Sequence, residues 1–240
     1  MAGLRVRGGA GGGMSEVTLE RPPVTFLPSP FLGPEVWEPV AERLRLHGWS
    51  TRVAQVRGST PAQVLDSFEE ALPDDRPTVL VPHSGAGLYV PSVASVVPLA
   101  GTVFVDAALA PAAGEARLVP PTLLDAVRGL ADDDGSLPPW TRWWPRDQVR
   151  ALVPDDETLD RVEAGAPRMP LAYLEASVPV PAGWAGGRNA YLAFGDTYAA
   201  ELSQAREAGW PTQVLDGGHL HMLVDPDGVA AALAGLLARI

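Results

Sequence analysis

The chain has 240 residues, of which 46% are apolar and 20% are charged, and its formal net charge is −11. This length fits one large α/β domain, and an acidic chain without a basic block argues against nucleic acid and anionic membrane surfaces as partners. The chain has no cysteine, and all 18 basic residues are arginine. Disulfides, thiolate metal sites, cysteine nucleophiles and lysine Schiff bases are therefore excluded.

The N-terminal segment is rich in glycine, and residues 1–23 are predicted to form a disordered tail. No apolar run typical of a secretory signal is present there, so a cytoplasmic location is expected. The longest apolar stretch covers residues 88–113. Pro91, Pro98 and Asp106 interrupt it, so it is interpreted as a core helix followed by a core strand rather than a membrane span.

The first ordered elements alternate between strand and helix patterns. A strand is predicted over 24–27, and a proline-containing loop leads from it to a helix over about 34–48. The alternating run 51–56 predicts a second strand. The segment 60–72 predicts a second helix, because it begins with a capping box and has proline at its first helical position.

The stretch from Thr78 to Leu88 carries the most specific pattern in the chain. An apolar run reads as a buried strand, and Ser84 follows it with small residues on its C-terminal side. Strand, tight turn and helix form the context in which a serine is exposed as a nucleophile. The usual pattern G-x-S-x-G has Pro82 and Ala86 at its glycine positions here. The alternative interpretation is an ordinary strand-to-helix turn with a capping serine.

The remainder of the chain completes a parallel sheet around one insertion. A strand is predicted over 101–106, and two more over 190–194 and 212–215. The region between the strands at 101–106 and 190–194 has no strand pattern for about eighty residues. It is interpreted as a helical cap at about 110–187 over the carboxyl edge of the sheet. Six strands that alternate with helices predict an α/β fold, a mostly parallel six-stranded sheet with helices on both faces.

In this order of elements the chain from Val24 onward resembles the α/β-hydrolase superfamily, as a small serine esterase-like member with a helical cap. The shared features are a first strand with an oxyanion loop, a helix with an early tryptophan, the elbow at Ser84, the cap insertion, and a Gly-Gly-His loop before the last helix. The resemblance implies one α/β-hydrolase domain over 24–240 with a Ser-His-Asp triad, in which Ser84 is the nucleophile.

The resemblance also implies the base and the acid. In the superfamily the catalytic histidine follows a glycine and precedes by seven residues the proline that opens the last helix. His219 has that spacing to Pro226, and His221 is the alternative. The orienting acid is expected at Asp196, after the fifth strand, and Asp106 at the end of the preceding strand is the other position that the superfamily uses.

An oxyanion hole requires two directed donors, usually backbone N–H groups. Gly85, directly after the nucleophile, is expected to supply one. The residue that should supply the other is Pro30, which has no N–H. Either the N–H of Phe31 or Leu32, or the hydroxyl of Ser29, is expected to take its place, or the second donor is absent.

Three clustered tryptophans, Trp140, Trp143 and Trp144, are expected either to roof a substrate pocket beside Pro30 or to fill the core of the cap. The function hypothesis is a serine hydrolase without cofactor or metal, acting on an ester, thioester or similar carbonyl of a small, mostly apolar substrate. One alternative is an acyltransferase, cyclase or eliminating enzyme of specialised metabolism with the same triad. Another is a binding relative without turnover.

Overall fold

The computed structural model describes residues 21–240, so most of the predicted tail lies outside the described residues. The last residues of that tail, 21–23, contact the rest of the protein. The Arg21 guanidinium lies 4.8 Å from the centre of the Trp49 ring, and the Pro23 carbonyl accepts a hydrogen bond from the Val79 N–H at 2.8 Å.

A six-stranded sheet forms the centre of the molecule. Its strands, in chain order, are β1 (Val24–Leu27), β2 (Thr51–Val53), β3 (Thr78–Ser84), β4 (Leu99–Ala107), β7 (Asn189–Phe194) and β8 (Thr212–Leu215). Their order across the sheet is β2-β1-β3-β4-β7-β8, and every neighbouring pair is parallel. This confirms the predicted sheet. The second strand ends three residues earlier than predicted, as the edge strand beside β1.

Helices lie on both faces of this sheet and in the segment between β4 and β7. In the described part of the chain they are α1 (Glu38–Leu46), α2 (Pro61–Glu70), α3 (Val90–Val96), α4 (Pro121–Val127), α5 (Arg146–Arg150), α6 (Asp156–Gly165), α7 (Leu171–Glu175), α8 (Ala199–Glu207), α9 (His221–Val224) and α10 (Pro226–Leu237). No helix within residues 21–240 combines the length and the apolar character needed to cross a membrane.

Strand periodicity divides the core into two layers. Val79 and Val81 of β3 pack with α1 and α10 on one face, whereas Leu80 between them packs with α2, α3 and α8 on the other. Successive strand side chains point to opposite faces, so a run of consecutive apolar residues serves both layers.

Local sequence chemistry explains where the covering helices begin. The Thr60 hydroxyl accepts from the Gln63 N–H at 3.3 Å, which completes the predicted capping box of α2. The Asp225 carboxylate accepts from the Gly228 N–H at 2.9 Å, and Pro226 occupies the first position of α10. Both caps satisfy backbone donors that a helix start leaves free.

The segment between β4 and β7 contains α4 to α7, as the helical pattern predicts, but it also contains two strands. These are β5 (Gly114–Arg117) and β6 (Ser177–Val180), which pair antiparallel. The expectation that this region lacks strands is therefore wrong. The pair is only four residues long on each side, and Ala116, Val178 and Val180 are its buried positions, which is too short a pattern to stand out from loop sequence.

The turn that follows β3 packs directly against the turn that follows β4. The Ala108 N–H donates to the Ser84 carbonyl at 3.1 Å. A Cβ atom placed on Gly87 would lie only 2.1 Å from the Ala108 carbonyl oxygen, so this position has no room for a side chain. The small residues after Ser84 thus allow the two turns to approach each other.

Gly87→Ala should lower the free energy of unfolding by about 1–3 kcal/mol, because the added methyl group displaces backbone rather than a flexible side chain. Gly129→Ala is the matched control, since nothing lies within 4 Å of a Cβ at that exposed position. Urea denaturation of the two variants measures the difference. Equal midpoints for both variants would contradict the packing described for Gly87.

Candidate active site

Ser84 ends β3 in a conformation that side-chain-bearing residues rarely adopt. Its backbone angles are φ 56° and ψ −130°, and Asp106, at φ 41°, is the only other non-glycine residue with positive φ in the described chain. Backbone strain of this kind is concentrated at functional sites, where the surrounding structure compensates for it. A strained serine between a strand and a helical turn has the geometry of a nucleophile elbow.

Asp106 and His219 form the closest polar contact of the site. The Asp106 Oδ2 atom lies 2.6 Å from His219 Nδ1, and the Asp106 side chain is fully buried. The second carboxylate oxygen accepts the Phe194 N–H at 3.1 Å. An ionised carboxylate only accepts hydrogen bonds, so Nδ1 carries the proton and Nε2 keeps a free lone pair. The imidazole is thus held in the tautomer that a general base requires.

The assignment of Asp196 as the orienting acid is wrong for this geometry. Asp196 lies on the surface just after β7, and its backbone carbonyl accepts from Ala199 at the start of α8. Asp106, the alternative, reaches across the end of β7 to Phe194 and occupies the position beside His219. The carboxylate therefore comes from β4 rather than from the loop after β7.

The expectation for the histidine agrees with the geometry. His219 lies in the loop between β8 and α9 and contacts Asp106, whereas the His221 ring packs against Phe194 with centroids 5.5 Å apart. His83, which precedes Ser84, packs against His219 from the protein interior. It lies 4.4 Å from His219 between ring centroids, and its Nε2–H donates to the His219 carbonyl at 3.0 Å.

His83 is fully buried, and burial together with the nearby His219 holds the pKa of His83 well below its usual range. The ring therefore stays neutral, and because a carbonyl only accepts, the proton is on Nε2. His83 Nδ1 has no hydrogen-bond partner in the described structure. His83 thus acts on the loop of His219 rather than as a second base.

The hydroxyl of Ser84 has a partner that the sequence analysis did not identify. Ser84 Oγ lies 3.1 Å from the phenolic oxygen of Tyr198, whose ring centroid is 5.7 Å from that of His219. Among the described residues no hydrogen bond joins Ser84 Oγ to His219. Catalytic hydrogen bonds are often long without substrate and tighten when it binds.

Burial raises the pKa of Tyr198 to about 12, although the hydrogen bond with Ser84 acts in the opposite direction. The phenol is therefore protonated at neutral pH and can donate. No sequence pattern indicated this residue.

Two N–H groups of the first loop form hydrogen bonds within the loop itself. The Leu32 N–H donates to the Ser29 carbonyl at 2.9 Å, and the Phe31 N–H is directed at Ser29 Oγ at 3.4 Å. The expectation that one of them replaces the missing donor is therefore not met. Pro30 lies next to Gly85, since a Cβ atom on Gly85 would be 3.6 Å from Pro30 Cδ. A methylene group thus occupies the place where an N–H is expected.

A cavity of about 560 Å³ opens above Ser84, Gly85 and His219. Trp140, Trp143 and Trp144 all line it, which fits the pocket interpretation. Trp143 also belongs to the core, where it is 8% exposed and packs against Phe31 at 4.9 Å, so for this residue both interpretations hold.

The rest of the cavity wall is mainly apolar. Leucine, valine and proline side chains from the segment after β5 line it, together with Leu88 and Leu109. The charged side chains in the wall are Arg117 and Glu201. An apolar cavity with a few convergent polar groups at its base is the usual form of a small-molecule site.

No protein-family model and no curated protein matches the sequence. Solved structures do match it. An extracellular α/β-hydrolase from a Paenibacillus species, described as sharing structural and functional homology with tobacco salicylic acid binding protein 2, has a TM-score of 0.72 at 19% identity over 90% of this chain and 99% of that chain. Tomato methylketone synthase I with 2-tridecanone gives 0.68 at 15% identity over 92% and 99%.

Polyneuridine aldehyde esterase is a further similar structure, with a TM-score of 0.63 at 15% identity over 90% of this chain and 99% of that chain. These identities are low, and the likeness concerns the fold. The chain therefore has the α/β-hydrolase fold, as the order of its sequence elements predicts.

A proton NMR spectrum should contain a strongly downfield imidazole N–H resonance, because short charge-assisted hydrogen bonds such as Asp106–His219 deshield the shared proton. Asp106→Asn should move this resonance upfield or abolish it, since the acceptor becomes neutral. Asp196→Asn is the matched control and should leave it in place. A resonance that responds to Asp196→Asn and not to Asp106→Asn would contradict the site geometry.

Proposed function

We propose that the protein is a cofactor-free serine hydrolase that acts on an ester, thioester or similar carbonyl of a small, mostly apolar substrate. The observation that carries this proposal is the contact of Asp106 with His219 at the base of an apolar cavity that also contains Ser84. The fold supports it as an analogy, because one of the similar structures is an esterase and another is described as a pyrethroid hydrolase.

In the proposed reaction Ser84 Oγ attacks the carbonyl carbon and its proton passes to His219 Nε2. The carbonyl π electrons move onto oxygen, and Asp106 stabilises the imidazolium that forms. When the intermediate collapses, the bond to the leaving group breaks and His219 returns the proton to it. Water then repeats the sequence on the acyl-enzyme, with His219 again accepting and donating one proton.

The cavity supports the substrate class. Its wall offers tryptophan and aliphatic side chains to the acyl or alcohol portion, and water leaves this surface when an apolar group enters. Arg117 and Glu201 carry opposite charges, so the wall has no net charge that would require a charged substrate.

Ser84→Ala should fold normally and hydrolyse p-nitrophenyl esters at least about 10³-fold more slowly than the wild type, because the triad acts as a unit. A series of esters from acetate to octanoate measured by p-nitrophenol release provides the assay, with a burst of one equivalent per protein as the sign of an acyl-enzyme. Ser92→Ala is the matched control, since the Ser92 hydroxyl donates to Pro179 in the cap. Turnover above one tenth of the wild-type rate in Ser84→Ala would remove the serine from the mechanism.

A further inference from the structure

We infer that the hydroxyl of Tyr198 is a catalytic donor at the reacting centre, and that it takes the place of the backbone N–H that Pro30 cannot provide. The inference rests on the proposed function, because it assigns a role in attack by Ser84. It adds a residue outside the triad and the backbone donors expected of the oxyanion hole.

The oxyanion hole is short of backbone N–H donors. An oxyanion hole with a single backbone N–H lacks a contribution that is usually worth about 10²–10³ in rate. Gly85 can supply one donor, but Pro30 presents Cδ to it, and the next two N–H groups are directed at Ser29.

The phenol of Tyr198 lies beside the oxygen of Ser84. Tyr198 is the only residue whose side chain is hydrogen-bonded to Ser84 Oγ in the described structure, at 3.1 Å. During attack, Ser84 Oγ becomes bonded to the same carbon that carries the oxyanion. A donor within hydrogen-bond distance of Oγ is therefore also within reach of the oxygen on which charge develops.

The protonation state and the orientation of the Tyr198 hydroxyl are those of a donor. Since Ser84 must donate its own proton to His219, Tyr198 can only be the donor in the reactive arrangement. A hydroxyl oxygen that donates one hydrogen bond can accept another, so Ser84 can donate to His219 in the reacting complex while it accepts from Tyr198. The phenol keeps its proton throughout, and no charge is created on Tyr198. The Tyr198 ring also packs beside the His219 ring, with centroids 5.7 Å apart.

Tyr198→Phe tests this role by removing a single oxygen atom. The expected result is a fall of about 10²-fold in kcat/KM for p-nitrophenyl esters with KM almost unchanged, because the lost interaction is made in the transition state. Tyr89→Phe is the matched control. It also removes a buried tyrosine hydroxyl near the elbow, but that hydroxyl contacts Tyr173 at 2.7 Å and not Ser84.

A double-mutant cycle with Pro30→Ala then separates a donor from a merely structural residue. Alanine restores the backbone N–H beside Gly85, so Pro30→Ala should raise kcat/KM at least about tenfold more in the Tyr198→Phe background than in the wild type. Equal effects in both backgrounds, or a Tyr198→Phe variant within twofold of the wild type, would overturn the inference.

Binding of an alkyl boronic acid provides a second measurement if Pro30→Ala does not fold. The tetrahedral adduct on Ser84 resembles the intermediate, so Tyr198→Phe should weaken it about as much as it lowers kcat/KM, whereas affinity for the carboxylic acid product should stay the same. Equal loss for both ligands would overturn the inference. An active Ser84→Ala variant would instead reject the proposed function itself, so the two failures are distinguishable.

Discussion

The contact between the Asp106 carboxylate and the His219 imidazole is the interaction on which the rest of the site depends. It joins residues 113 positions apart in the chain, one near the end of β4 and the other in the loop after β8. A fully buried carboxylate is costly unless its oxygens are hydrogen-bonded, and here the Phe194 N–H satisfies the oxygen that His219 does not contact. Tyr191 stabilises the end of β4 next to Asp106, because the Tyr191 hydroxyl accepts from the N–H of Ala107 and donates to its carbonyl.

The remaining parts of the site are arranged around this contact. The strained backbone of Asp106 and that of Ser84 lie at the ends of neighbouring parallel strands, so the fold brings the two side chains to one edge of the sheet. His83 holds the loop of His219 from the protein interior. On the open side the apolar cavity and the phenol of Tyr198 face the serine.

The sequence was sufficient for the elements that depend on local chemistry. Apolar runs, the capping box at Thr60 and the proline that opens the last helix predicted all six central strands and most covering helices within a few residues. Of the two histidines in this loop, the spacing to Pro226 selected His219, which is the one that contacts Asp106. These features depend on residues close in the chain, where periodicity and capping leave a readable pattern.

The acid and the second hydroxyl could not be predicted in the same way. Asp106 and Asp196 both lie at strand ends. They differ because β4 extends far enough for the Asp106 side chain to reach Phe194 and His219. Tyr198 was identified only by its distance from Ser84, which a sequence does not contain. The pair β5–β6 is likewise defined by pairing across the insertion rather than by its own short strands.

The most direct test of the account is the reaction of the protein with a fluorophosphonate, followed by mass spectrometric mapping of the labelled peptide. The account predicts one adduct per chain on Ser84, formed about 10³-fold or more slowly in Asp106→Asn and His219→Ala and at the wild-type rate in Asp196→Asn and His221→Ala. An adduct on another residue, or one whose rate does not depend on Asp106, would contradict it.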